Sequence, residues 1–116
     1  MKTALLAFDS KQLNLILSKM LGDLGFSVTT TLSFKDAVAI CEKKQPEVLF
    51  VDWVFDGKNV QDLLDAITVK PCIIFVSAET APDDISRALE LGATEYIIKS
   101  FDNDILQSKL SMAGLV

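Results

Sequence analysis

The sequence contains no histidine among its 116 residues. This absence excludes catalytic triads that depend on histidine and metal sites that use it as a ligand. Lysine and arginine together number 11 against 16 acidic residues, and they form no basic run. The net charge of −5 disfavours binding to the phosphate backbone of nucleic acids, which requires a basic surface. The chemistry that remains is that of carboxylates, hydroxyls and amines.

Cysteine is scarce as well, and long apolar runs are missing. The two cysteines, Cys41 and Cys72, lie within apolar patterns, which predicts buried thiols and fits a cytoplasmic setting. No apolar run approaches the roughly 20 residues that a membrane helix needs, and the N-terminus shows no export signal. We therefore expect one domain over residues 1–116, located in the cytoplasm and not inserted in a membrane.

Four apolar runs each end on a residue that can take part in chemistry. Residues 4–8 precede Asp9, residues 48–51 precede Asp52, residues 72–76 precede Ser77, and residues 96–98 precede Lys99. Apolar runs without alternation are typical of strands that are covered on both faces in a parallel sheet. The carboxyl ends of such strands share one edge of the sheet, where open α/β folds bind their ligands. The sequence therefore predicts a site at this edge.

Amphipathic segments separate the strands. The first predicted helix runs from about Lys11 to Leu24 behind a Ser10 cap. Its apolar stripe is predicted to face the sheet and comprises Leu13, Ile16, Leu17, Met20, Leu21 and Leu24. The segment Trp53–Asn59 is predicted to be a loop. Strand and helix alternate five times, which calls for a parallel sheet with right-handed crossovers. We predict an α/β fold, a flavodoxin-like doubly wound (βα)5 sandwich whose five-stranded parallel sheet has the order 2-1-3-4-5.

In this strand order Asp9 and Asp52 follow the two strands that flank the topological switch point. Two carboxylates brought together repel each other, and a hard divalent cation such as Mg²⁺ relieves the repulsion. The hydroxyl of Ser77 and the ammonium of Lys99 are groups that can hold a transferring phosphoryl group. A carboxylate can itself act as the nucleophile and form an acyl phosphate.

Further short motifs accompany these residues: Asp52-Trp53, Ser77-Ala78-Glu79, Gly92-Ala93, Tyr96-Ile97-Ile98-Lys99 and Phe101-Asp102. With them, nearly the whole chain resembles the receiver domain of two-component response regulators, most closely the single-domain chemotaxis regulators of the CheY type. The resemblance implies that Asp52 accepts a phosphoryl group from a phosphohistidine on a sensor histidine kinase. It implies no enzyme activity beyond self-catalysed phosphorylation and dephosphorylation. The ending at residues 112–116 also matches and suggests a complete, stand-alone regulator.

The resemblance also assigns the ligands of the site. Asp9, Asp52 and the backbone carbonyl of Val54 would hold Mg²⁺, while Ser77 and Lys99 would bind the phosphoryl oxygens. The chain's own lack of histidine is consistent, because in this family the kinase supplies that residue.

The same resemblance implies how the signal leaves the domain. Tyr96 matches an aromatic residue that turns inward in the active state of the family. The surface of the fourth helix, fifth strand and fifth helix would then bind a downstream protein, for which the flagellar motor switch is the expectation from the chemotaxis regulators. The expected neighbours of the phosphoryl pocket are Phe8, Trp53, Ala78 and Glu79.

The sequence departs from the family at three places in this site. Phe8 replaces an acid, which should weaken Mg²⁺ binding, and residues 53–59 lack the Asn-Met-Pro of the family. Lys99-Ser100 replaces a Lys-Pro pair that usually has a cis bond. A non-proline cis bond costs about 3–4 kcal/mol. We therefore expect a trans bond, or a strained cis bond held by packing, with some displacement of Lys99.

These departures leave an alternative open, namely a degenerate receiver that binds its partner without phosphorylation. Other classes have less support. A flavodoxin-type electron carrier needs a phosphate-binding loop rich in serine, threonine and glycine after the first strand, and residues 9–13 do not supply one. A nucleotide hydrolase of the P-loop type would need a G-x-x-x-x-G-K-[ST] motif, which the sequence lacks.

Overall fold

The computed structural model describes residues 2–116. Its elements are β1 Lys2–Ala7, α1 Lys11–Asp23, β2 Phe26–Thr31, α2 Phe34–Lys44, β3 Val48–Val51, β4 Val54–Phe55, β5 Lys58–Asn59, α3 Val60–Ala66, β6 Cys72–Ser77, α4 Pro82–Glu90, β7 Ala93–Ile98 and α5 Asn103–Met112. Five parallel strands form one sheet in the order β2-β1-β3-β6-β7. The predicted fold and strand order are confirmed, with β6 and β7 as the fourth and fifth strands of the prediction.

Helices cover both faces of the sheet and create two apolar cores. Consecutive strand residues point to opposite faces, so Leu5 contributes to the core under α2, α3 and α4, while Leu6 contributes to the core under α1 and α5. All four residues of β3 are fully buried, as the unbroken apolar run predicts. Within residues 2–116, no helix has the length and apolar character needed to cross a membrane.

The first helix shows why an apolar stripe alone does not fix the buried face. Its cap is as predicted, because Ser10 Oγ accepts a hydrogen bond from the backbone N–H of Leu13 at 3.1 Å. The prediction of Ile16 as a buried residue is wrong, since its side chain is 48% exposed. Asn14 is buried instead, and its Nδ2 donates to the carbonyl oxygen of Phe8 at 3.1 Å. This hydrogen bond to the end of β1 helps to set the rotation of the helix.

The prediction of a loop over residues 53–59 is wrong. The strands β4 and β5 pair antiparallel as a short hairpin, with Phe55 opposite Lys58. The turn residues Asp56 and Gly57 have φ values of 52° and 74°. Positive φ at both central positions is typical of a type I′ turn, and Asp-Gly is among the pairs that favour it. The hairpin fixes the backbone that follows Asp52.

The cysteine predictions have different outcomes. Cys41 is buried, as predicted, whereas Cys72 at the start of β6 is only partly buried. Burial and the negative charge of Glu42 raise the pKa of the Cys41 thiol from 9.0 to about 11. The folded protein therefore holds this thiol neutral at a pH where the unfolded chain ionises it.

We expect stability to decrease in alkali because of this thiol. The folded pKa is raised, so the contribution of Cys41 is fully present below about pH 9 and is lost as the pH rises toward 11. The loss should be about 1 kcal/mol of unfolding free energy for each pH unit in this window. Urea unfolding between pH 7 and about 10.5 measures it, and Cys41→Ala is the control that cancels lysine and tyrosine titration. An identical pH slope in both proteins would contradict the prediction.

Candidate functional site

The candidate residues emerge side by side at the carboxyl edge of the sheet. Ala7 pairs with Val51, and Ser77 pairs with Ile98. Neighbouring strands lie about 4.8 Å apart. The chain therefore places Asp9 and Asp52 after adjacent strands, and Ser77 and Lys99 at the ends of the next two.

Asp52 is fixed by contacts to both of its carboxylate oxygens. Lys99 Nζ lies 2.9 Å from Asp52 Oδ2, and the backbone N–H of Trp53 donates to Asp52 Oδ1 at 2.7 Å. The side chain of Asp52 keeps 24% exposure and that of Lys99 keeps 33%, so solvent reaches the pair. Lys99 therefore reaches Asp52 although serine replaces the family's proline at position 100. The Lys99–Ser100 bond is cis, the second of the two alternatives above.

Asp9 binds the hairpin turn. Its Oδ1 accepts a hydrogen bond from the backbone N–H of Asp56 at 2.8 Å. Asp56 in turn accepts through Oδ2 from the backbone N–H of Phe34, the first residue of α2, at 2.8 Å. Asp9 thus helps to join β1, the hairpin and α2. Asp56 is a site neighbour that the sequence prediction missed, although the Asp56-Gly57 turn signal marks it.

The donor set at this edge fits Mg²⁺ in ligand chemistry. Mg²⁺ takes oxygen ligands from one or two carboxylates and retains waters. Val60 N–H donates to the Trp53 carbonyl at 2.8 Å. Because hydrogen-bonded and non-bonded pairs alternate in an antiparallel ladder, the next carbonyl, that of Val54, lies outside the ladder. The available oxygen ligands are therefore the carboxylates of Asp9 and Asp52 and the backbone carbonyl of Val54.

The protein offers few ligands beyond these. Phe8, which directly precedes Asp9, is buried. Its ring centroid lies 6.0 Å from Lys99 Nζ, so the aromatic face contacts this cation. Across the described part of the chain, residues 2–116, no three His, Cys, Asp or Glu side chains are grouped to hold a metal ion.

Ser77 at the end of β6 and Tyr96 in β7 both contact Glu79. Ser77 is 1% exposed, and its hydroxyl oxygen accepts a hydrogen bond from the backbone N–H of Glu79 at 3.1 Å. The hydroxyl of Tyr96 donates to the Glu79 carbonyl at 2.9 Å and accepts from Trp53 Nε1–H at 3.2 Å. The ring of Tyr96 stacks on Phe75 with centroids 5.9 Å apart. Tyr96 therefore points inward.

An open cavity of about 360 Å³ lies over Asp52. Its lining residues are Asp52, Trp53, Val54, Ser77, Ala78, Glu79, Asp84 and Arg87. The structure thus places most of the predicted site residues in or beside one cavity. Four predicted residues are outside its lining: Phe8 is buried, Asp9 is bound to the hairpin, Lys99 pairs with Asp52, and Tyr96 is hydrogen-bonded to Glu79 and Trp53. Arg87 was not predicted; its only sequence signals are its uniqueness and its position three residues after Asp84.

The comparison with protein families identifies the class. The sequence profile of the response regulator receiver domain matches residues 4–111. The chain belongs to this family, and the resemblance noted in the sequence is confirmed. The chain is thus a receiver domain of the kind found in two-component response regulators.

Relatives of known identity include both small regulators and transcription factors. The chain is 28% identical over 114 residues to the chemotaxis protein CheY of Pseudomonas aeruginosa, covering 91% of this chain and 90% of that protein. It is 26% identical over 114 residues to the phosphate regulon transcriptional regulatory protein PhoB of the same species, covering 94% of this chain. The chain spans about half the length of the PhoB proteins that it matches, 50% and 47% in two species.

Solved structures show the same fold. The chemotaxis protein CheY4 of Vibrio cholerae superposes with a TM-score of 0.86 at 23% identity, covering 97% of this chain and 98% of that chain. The non-phosphorylated HemR receiver domain of Leptospira biflexa gives 0.84 at 21% identity, covering 100% and 97%. The BeF3-activated receiver domain of Klebsiella pneumoniae RstA also gives 0.84, at 18% identity and 97% coverage of both chains. The backbone likeness is therefore equal for an activated and a non-phosphorylated receiver.

Proposed function

We propose that this receiver accepts a phosphoryl group on Asp52 and signals by phosphorylation-dependent protein binding. The observation that carries the proposal is the 2.9 Å contact between Lys99 Nζ and Asp52 Oδ2, beside a solvent-open cavity that Asp52 and Ser77 both line. A carboxylate held beside a fixed ammonium and a hydroxyl has the groups that phosphoryl transfer requires.

The transfer converts a phosphoramidate into an acyl phosphate. One carboxylate oxygen of Asp52 attacks the phosphorus of a phosphohistidine, and a new O–P bond forms as the P–N bond breaks. The electron pair of the broken bond goes to the imidazole nitrogen, which then takes a proton from water. The Trp53 N–H and Lys99 contacts fix the orientation of the attacking carboxylate.

Lys99 and Ser77 have distinct roles in binding the transferred group. The ammonium of Lys99 has three donors, so it can retain Asp52 while it pairs with a phosphoryl oxygen. The hydroxyl of Ser77 now accepts from Glu79 N–H, and its own proton is available to a phosphoryl oxygen. Both groups stabilise negative charge on the phosphoryl oxygens.

Mg²⁺ would neutralise part of the same negative charge when it is bound. The carboxylates of Asp9 and Asp52 and the carbonyl of Val54 would hold it. Phe8 in place of an acid removes one nearby negative charge, so we expect an affinity roughly tenfold or more below that of a site with the extra acid.

The partners follow from the family and remain part of the proposal. A sensor histidine kinase would supply the phosphoryl group in the cytoplasm. The face formed by α4, β7 and α5 would bind a downstream protein, and Tyr96 is a buried residue of β7. The named relatives act in chemotaxis and in transcriptional regulation. A flagellar motor switch is one target that would fit a role in chemotaxis.

The fluorescence of Trp53, the only tryptophan, tests the proposal because this residue follows Asp52 directly. Titration with Mg²⁺ and then with beryllofluoride should produce saturable emission changes in the wild-type protein. The beryllofluoride change should be absent in Asp52→Asn and unchanged in Asp23→Asn, whose exposed carboxylate lies at the far end of α1. No response at millimolar concentrations of both would contradict phosphoryl acceptance at this site.

A second candidate is a receiver that binds its partner without phosphorylation. One observation favours it: the inward orientation of Tyr96 is held by contacts to Trp53 and Glu79, none of which involves the side chain of Asp52. This function predicts equal partner binding by the wild-type protein, Asp52→Asn and the beryllofluoride complex. A difference in affinity between these forms would exclude it.

A further inference from the structure

The only arginine of the chain, Arg87, lies at the wall of the cavity over Asp52. It belongs to the last turn of α4, and its guanidinium carbon lies 4.4 Å from the centroid of the Trp53 ring. Stacking on an aromatic face holds the guanidinium plane and leaves its N–H edge free to bind a ligand. The chain thus presents its one guanidinium in the cavity that Asp52, the predicted nucleophile, also lines.

The guanidinium is only lightly engaged by the protein. Its Nη2 lies 3.5 Å from Asp84 Oδ1, and the Arg87 side chain is 60% exposed. Exposed ion pairs of this kind contribute little, because water screens them and both side chains lose entropy. A guanidinium carries five N–H donors in a fork that matches phosphate geometry. Most of these donors therefore remain available to an anion in the cavity.

The electrostatics of the cavity favour such a group. Three of the lining residues, Asp52, Glu79 and Asp84, carry carboxylates, and the whole chain has a net charge of −5. A phosphoryl donor is itself an anion and is repelled by this field. Lys99 is already paired with Asp52, which leaves Arg87 as the cation among the lining residues.

We propose that Arg87 is a substrate-binding residue that binds the oxygens of the incoming phosphoryl group before transfer. This inference rests on the proposed function of Asp52. The binding exchanges the weak contact with Asp84 for charge-assisted hydrogen bonds to the phosphoryl oxygens. Because the contact forms in the encounter complex, it affects the concentration of donor that half-saturates the reaction more than the maximal rate.

The test is the initial rate of Asp52 phosphorylation at varied concentrations of two small donors, acetyl phosphate and phosphoramidate. Intact mass measures the product, since Arg87 touches Trp53 and substitution would disturb its emission. Arg87→Gln should raise the half-saturating concentration of both donors about tenfold, with the maximal rate within about twofold of wild type. Arg87→Lys should recover part of the loss because it restores the charge without the fork. The control is Lys35→Gln, an exposed cation at the start of α2, which should match wild type.

The outcomes separate this inference from the proposed function. An unchanged half-saturating concentration in Arg87→Gln overturns the role of Arg87 while phosphorylation of Asp52 stands. A fall in the maximal rate alone, or an effect with acetyl phosphate but not with phosphoramidate, also overturns it, since the phosphoryl group is what the two donors share. A wild-type protein that takes up no phosphoryl group from either donor refutes both proposals. Matching urea midpoints for wild type and Arg87→Gln show that the exposed substitution leaves the fold intact.

Discussion

Asp52→Asn is expected to abolish covalent phosphoryl uptake, with a rate loss of at least about a thousandfold from every donor. The amide nitrogen and oxygen of asparagine are poor nucleophiles at phosphorus, and the variant cannot form an acyl phosphate. The substitution preserves the local structure, because the amide oxygen can still accept from the Trp53 N–H that now binds Asp52 Oδ1. What it removes is the negative charge that pairs with Lys99.

Intact mass after incubation with phosphoramidate and Mg²⁺ measures this prediction. Asp23→Asn removes the same charge from an exposed position at the end of α1 and should be phosphorylated like the wild type. Asp9→Asn should be slowed and should need more Mg²⁺, since Asp9 is the second carboxylate at this edge of the sheet. If Asp52→Asn acquires a phosphoryl group at the wild-type rate, another side chain is the nucleophile and the assignment of Asp52 fails.

The strand order was predictable because it follows from the apolar runs and from the alternation of strands and helices. The run Val48–Val51 contains no polar residue, and only a strand covered on both faces buries all of it. Once five strands alternate with five helices, connection rules leave few arrangements of the sheet. The carboxyl edge, and with it the approach of Asp52 to Lys99, follows from the parallel direction of the strands.

The features that were not predicted depend on contacts between distant parts of the chain. Asn14 replaces Ile16 on the buried side of α1 because the carbonyl of Phe8 accepts its amide hydrogen, and no local periodicity contains that bond. Arg87 reaches the cavity only because α4 packs beside Trp53, 34 positions earlier in the chain. The hairpin is a different case, because Asp56-Gly57 marks its turn locally. It was missed because the two strands that flank this turn are very short.

Phe75→Ala is expected to lower the free energy of unfolding by about 3–5 kcal/mol, the usual cost of removing a fully buried phenylalanine. Phe75 is 0% exposed and lies in β6, between β3 and β7. Its ring centroid is 4.7 Å from that of Trp53 and 5.9 Å from that of Tyr96. Small domains have only about 5–15 kcal/mol of stability, so this change removes a large part of it. Urea unfolding followed by circular dichroism measures the loss.

A pair of milder variants separates the aromatic contacts from simple burial. Phe75→Leu and Phe50→Leu both keep an apolar side chain at a fully buried position, on opposite faces of the sheet. Within residues 2–116 only the first of these rings has close aromatic partners, namely Trp53 and Tyr96. Aromatic pairs contribute about 0.5–1.5 kcal/mol beyond area burial. Phe75→Leu should therefore cost about 1–2 kcal/mol more than Phe50→Leu and should change the native emission of Trp53. Equal losses of unfolding free energy with unchanged Trp53 emission would contradict the prediction. Phe75 would then act only as a buried apolar group and would not connect Tyr96 to Trp53.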